Sequence, residues 1–181
     1  MNDNSISNFG LLIAYILPGL LALGGGSLLS PSLSFSLTPH ATQAPTLGGF
    51  LYTTIASVGA GLTASTIRWL LIDPLHHATG IKRPRLDFSR LDDRVEAFNF
   101  LNENQYRYYQ FYANSIISGT FAYTAWKYGQ DGEITFGWTD VAYAALLVVF
   151  YAASRDTLSK YYARLKHLLG EGEAPLILPG V

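Results

Sequence analysis

The chain has 181 residues, of which 49% are hydrophobic and only 14% charged, with a net charge of −1. A typical soluble domain carries roughly 25% charged residues, so this surface is short of charge. A globally basic nucleic-acid binder is excluded, though a local basic patch is not. The absence of cysteine removes disulfide scaffolds, thiolate zinc sites, iron–sulfur clusters and cysteine nucleophiles. What remains is an all-α, polytopic integral membrane protein.

A hydrocarbon core about 30 Å thick needs about 20 mostly apolar residues per spanning helix. Residues 9–29 (FGLLIAYILPGLLALGGGSLL) contain no charge, and Pro18 marks a kink. Met1–Asn8 carry no Lys or Arg, which argues against a cleaved signal peptide. Residues 30–46, rich in Ser, Thr and Pro, read as an irregular connection. Residues 47–72 form a second span, uncharged until Arg68. Two rows of small residues at spacing four, Ala56–Ala60–Ala64 and Ser57–Gly61–Ser65, suit close helix packing inside one bundle or between subunits.

Pro74, Gly80 and Pro84 are expected to break the chain after this span. Asp73, His76 and His77 form the one cluster with the flavour of a metal or catalytic site. No third histidine lies nearby and HExxH is absent, so structural hydrogen bonding is the stronger reading. The link over residues 73–107 gathers Lys82, Arg83, Arg85, Arg90 and Arg94, followed by the aromatic block Tyr106–Tyr112. These bases suit anionic headgroups, or a nucleotide or oligonucleotide signal with tyrosines stacking on bases. The motif Ser89–Asp92 resembles a capping box. Leu91, Val95, Phe98 and Leu101 then predict a cytoplasmic helix from about Arg90 that runs into the next span.

Residues 108–126 form a wetter third span, with Gln110, Asn114 and Ser118 on one face. That stripe must meet protein or water, either as interhelical hydrogen bonds or as the lining of a hydrated path. Residues 138–154 form the fourth span, which overshoots the membrane as an apolar stripe of Leu158, Tyr161, Tyr162, Leu165, Leu168 and Leu169, with Gly170 as the stop. The tail covers residues 155–181. Eleven basic residues flank one side and only Lys127 the other, so the positive-inside rule places both termini in the cytoplasm.

The stretches LIAYILPG (residues 12–19), RWLLIDPLHHATG (residues 68–80) and YRYYQFYANS (residues 106–115) resemble those of small bacterial four-span proteins. In size and layout the chain is similar to membrane effectors of antiphage defence systems. That resemblance implies a bacterial inner-membrane location, a homo-oligomeric channel or pore, and control by a cytosolic partner or nucleotide. The expectation is therefore a non-enzymatic single membrane domain over residues 1–181, needing no cofactor or metal. Its partners are the lipid bilayer, further copies of itself and a cytosolic signal. In this reading Gln110, Asn114 and Ser118 line the path, the basic link receives the signal, and growth arrest follows during infection. A membrane anchor docking a cytosolic protein is the alternative, with Leu158–Leu169 as a docking stripe. A membrane enzyme using Asp73, His76 and His77 is the third.

Overall fold

The computed structural model describes residues 10, 12–37, 47–129 and 136–170; residues 38–46 of the connection after the first span and residues 171–181 of the tail lie outside them. Among the described residues the fold is helical, without a β-strand. Helix α1 covers Leu12–Leu29 and opens with a π-helical turn at Leu12–Ile16. Helix α2 covers Pro31–Leu37, and α3 covers Leu47–Ala78. Short 3₁₀ turns at Phe88–Arg90 and Asp92–Arg94 lead into α4, Val95–Leu101. A second π-turn, Asn102–Tyr106, joins it to α5, Arg107–Gly129, and α6 covers Trp138–Leu169. The predicted helix running into the third segment and the long sixth helix are both present. Gly170, at φ +80°, ends α6 in the left-handed region that favours glycine.

Three helices, α1, α3 and α6, are long and apolar enough to cross a membrane. The sequence reading counts four, and α5 is the difference. It has 23 residues, ample length, but Gln110, Asn114, Ser115, Ser118, Thr120 and Thr124 make it too polar to qualify by composition. The reason is its position. It packs against α1, α3 and α6, so Gln110, Asn114, Ser115 and Ser118 are buried among helices, while Thr120 and Thr124 stay exposed.

Two further expectations are corrected. The connection after α1 is not wholly irregular, because Ser30 and Pro31 start α2. Ser30 accepts from the Leu33 N–H at 3.4 Å, and Pro31 occupies the first helical position, where its missing N–H costs nothing. Pro74 does not end α3, which runs four residues further. An interior proline costs about 3 kcal/mol, yet here Asp73 and His76 on either side of it are tied to α5 and α6. Termination comes at Gly80 (φ +104°). The Ile81 N–H bonds to the His76 carbonyl at 3.1 Å and the Gly80 N–H to the His77 carbonyl at 3.2 Å, a Schellman arrangement.

Contacts fix the direction of each helix. Near one end, rich in flanking Lys and Arg, Tyr15 of α1 meets Arg107 and Gln110 of α5, and Asp73 of α3 meets Tyr109 of α5. At the far end Gly25 of α1 lies against Ala122 of α5, while Lys127 of α5 bonds to Asp140 of α6 at 2.7 Å. Thus α5 traverses the bundle parallel to α1, and α6 returns antiparallel to it. At the basic end, Ile72, Ile81, Tyr109, Ala113, Leu158, Tyr161 and Leu165 form one core, backed by Phe98 and Leu101 of the link. The stripe expected as a docking face is therefore largely covered from within: Leu158, Tyr161, Leu165 and Leu169 are buried.

The small residues of α3 pack inside the chain. A Cβ on Gly19 would collide with the Ser57 carbonyl, and one on Gly61 with the Tyr15 carbonyl, so both crossings of α1 and α3 need a bare backbone. Ser57, Gly61 and Ala64 are buried, while Ala56, Ala60 and Ser65 are half-buried at the edge of the same contact. Gly59 faces open space. Gly19→Ala should therefore cost about 1–3 kcal/mol by overpacking, whereas Gly59→Ala should gain up to about 1 kcal/mol of helix propensity. Thermal denaturation of the two variants in one detergent tests this; equal melting temperatures would dismiss the backbone contact.

Candidate functional site

Arg68 sits one and a half turns before Asp73 on α3 and is 4% exposed. Its Nη1 lies 3.5 Å from Asp73 Oδ1, and its guanidinium carbon sits 5.1 Å from the Tyr109 ring centroid. The Tyr109 hydroxyl donates to Asp73. A buried cation therefore has a carboxylate and an aromatic face as its compensation, which a charge removed from water requires.

Of the predicted cluster, Asp73 and His77 border one cavity, whereas His76 does not join them. His76 is buried and turned towards α6, with Nε2 3.0 Å from Ser154 Oγ and its ring stacked on Tyr151 at 4.9 Å. The Ser154 hydroxyl donates to the Tyr151 carbonyl at 2.9 Å, so Nε2 of His76 is the donor in their bond. His77 is exposed and donates from Nδ1 to the Asp73 backbone carbonyl at 2.6 Å. Among the described residues no three acidic or histidine side chains converge on a metal position.

The five basic candidates of the link divide by what they touch. Arg94 donates to the Leu168 carbonyl at the C-terminus of α6. Arg90 pairs with Asp87 at 3.3 Å and lies beside Gly170. Both satisfy or neutralise that helix end, where carbonyls lack intrahelical donors. The expected capping box is replaced by Asp87, whose carboxylate accepts from the Ser89 hydroxyl at 2.6 Å and the Ser89 N–H at 3.1 Å. These two bonds hold the Asp87 carboxyl below its ordinary pKa. Arg85 is exposed. Arg83 and Lys82 each border a cavity.

The larger cavity, about 570 Å³, lies between the end of α3, the link and α6. Trp69, Leu70 and Pro74 form one wall, Phe88 and Phe98 a second, and Tyr106, Tyr161 and Tyr162 a third; Asp73, His77 and Arg83 supply its polar groups. The smaller cavity, about 310 Å³, adjoins it through Pro84 and Tyr162 and is bordered by Lys82, Arg155, Ser159 and Lys166. Arg155 also donates to the Thr79 carbonyl at 2.7 Å, tying α6 to the end of α3. No sequence signal pointed to these cavities, because their walls come from four separate segments.

The polar stripe of α5 is internal. Gln110, Asn114 and Ser118 are all buried within the one chain. Gln110 donates to the Tyr15 hydroxyl at 3.0 Å and accepts from Arg107 at 3.2 Å. Asn114 donates to the Ala14 carbonyl at 2.8 Å. The partner is chosen by chemistry: Pro18 has no N–H, so the Ala14 carbonyl four residues earlier lacks its α-helical donor. Asn114 replaces it across the π-turn. Gln110 and Asn114 thus hold interhelical bonds, while Asn114 Oδ1 and Ser118 Oγ are buried without hydrogen-bond partners.

Asn114→Leu should cost about 1–3 kcal/mol by leaving the Ala14 carbonyl unpaired. In a Pro18→Ala background, which restores an N–H to that carbonyl, the same substitution should cost clearly less. A double-mutant cycle on thermal stability measures the coupling, and strict additivity would sink this account.

The chain matches no protein-family model, no curated protein and no solved structure.

Proposed function

We propose that the chain is an integral membrane binding module: a four-crossing bundle that holds an aromatic and basic cleft at the membrane surface, where a ligand is received. The crossing number follows from chain direction. If α1, α3 and α6 span, the chain must pass from the basic end of α3 to the far end of α6, and α5 is the segment that makes that passage. Its amides and serines are tolerated because they are buried among the other helices, and the exposed Thr120 hydroxyl donates to the Ile116 carbonyl of its own helix at 2.7 Å. The excess of Lys and Arg then puts the cleft and both termini on the cytoplasmic side.

The observation that carries the reading is the single core joining Ile72, Tyr109 and Ala113 of the bundle to Ile81, Leu158, Tyr161 and Leu165 beside the cleft. A ligand seated there rests on side chains that are packed against the spanning helices. Occupancy is thereby coupled to bundle packing, provided that the ligand prefers one packing over another. A docked partner protein would read that packing from the exposed link.

A second reading, a homo-oligomeric channel, is favoured by one observation. Asn114 Oδ1 and Ser118 Oγ are buried without hydrogen-bond partners, one turn apart along the interior face of α5. Unpaired acceptors at that depth suit water entering the bundle. Either reading is compatible with an effector of antiphage defence, the cellular role suggested by layout.

The chain lacks cysteine, so single-cysteine probes report topology without a background. Ser89→Cys should react with an impermeant maleimide only after cell lysis, and Gly129→Cys in intact spheroplasts. Proteoliposomes holding the inserted protein should then leak ions no faster than empty vesicles. Flux that depends on protein and is altered by Asn114→Leu would overturn the binding-module reading in favour of the channel. Inverted labelling would overturn the orientation.

A further inference from the structure

We infer that the larger cleft is a binding site for one anionic phospholipid, with the phosphate on Arg83 and an acyl chain along Trp69 and Leu70. The inference rests on the membrane reading above and names the ligand class for the same cleft.

Three observations carry it. First, the cleft is continuous with the apolar outer face of α3: Trp69 is 63% and Leu70 56% exposed, and both also line the cavity. A chain entering from lipid meets no polar barrier on that side. Second, the cleft has a cation at its other edge. Arg83 lines it and, among the described residues, makes no salt bridge, whereas Arg90 and Arg94 are engaged at the α6 terminus. The acid in the cleft, Asp73, is already held by Tyr109 and Arg68, so its charge is compensated from behind. Third, the adjoining cavity places Lys82 and Arg155 just beyond Tyr162, adding positive potential on the same side. An apolar entrance, aromatic walls at the interfacial level and a terminal arginine match a lipid with a negatively charged headgroup. A soluble nucleotide would gain nothing from the side open to the apolar face.

The test uses Trp69 as reporter. The protein has three tryptophans, so Trp126→Phe with Trp138→Phe leaves Trp69 as the sole emitter. This form is reconstituted in phosphatidylcholine vesicles in which a minor share of either phosphatidylglycerol or phosphatidylcholine carries brominated acyl chains, which quench nearby indole. Brominated phosphatidylglycerol should quench Trp69 with an apparent affinity about fivefold above that of brominated phosphatidylcholine, the factor expected from one basic group near an anionic lipid. Arg83→Gln should abolish that preference while leaving quenching by brominated phosphatidylcholine intact, and Arg85→Gln, an equal change of charge outside the cleft, should preserve it.

Equal quenching by the two lipids would overturn the site while leaving α3 in the bilayer. The same holds for a preference that survives Arg83→Gln, or one lost equally with Arg85→Gln. A preference that millimolar inorganic phosphate removes would overturn lipid as the occupant in favour of a soluble phosphate. No quenching by either lipid would overturn the inference together with the membrane reading it rests on.

Discussion

The arrangement depends on placing a polar helix in the middle of an apolar bundle. Helix α5 brings Gln110, Asn114, Ser115 and Ser118 into the interior, where each unpaired polar group costs free energy that neither lipid nor aliphatic side chains can return. The neighbouring helix α1 answers with a defect of its own. Pro18 frees the Ala14 carbonyl, and Asn114 takes it up. Two features that would each destabilise an isolated helix become one hydrogen bond between helices. Gly19 and Gly61 in turn let α1 and α3 close to backbone contact.

The same accounting governs charge at the basic end. Arg68 is inside and is matched by Asp73 and Tyr109. Arg94 and Arg155 lie outside the core, where they complete helix termini instead of waiting for a ligand. A row of basic residues in sequence thus resolves into structural and available groups only when the helix ends are located. Of the bases in the link, Arg83 and Lys82 are the two that border a cavity.

Much of the architecture was legible because the period and length of apolar segments are direct consequences of helix geometry. The overshoot of α6, its end at Gly170, and the continuous helix leading into α5 were all readable from spacing. The legible part stops where pairing partners lie far apart in sequence. Nothing near Pro74 shows that Tyr109 and Ser154 will hold the helix on both sides of it. Likewise the capping role of Arg94 depends on Leu168, 74 residues later. Asn114 was legible as a buried polar residue, but its role was not, since the vacancy it fills belongs to Ala14. The start of α2 is different: the Ser30–Pro31 pair is a local signal that the composition of its loop obscured.

These pairings also bound how the bundle can move. Any rearrangement that rotates α5 enough to turn Asn114 away from α1 must give up its bond to Ala14, at about 1–3 kcal/mol for the carbonyl left unpaired. A ligand in the cleft can supply that only through a difference in affinity between the two packings, and about 1.4 kcal/mol is needed for each tenfold shift in population. Anchoring makes no such demand, because the cleft need only stay where the core holds it. A gated path must meet it at every opening, unless water hydrates Asn114 Oδ1 and Ser118 Oγ and so lowers the cost of breaking the contact. The energetic distinction between a fixed receptor and a channel in this chain therefore reduces to whether water reaches the interior face of α5.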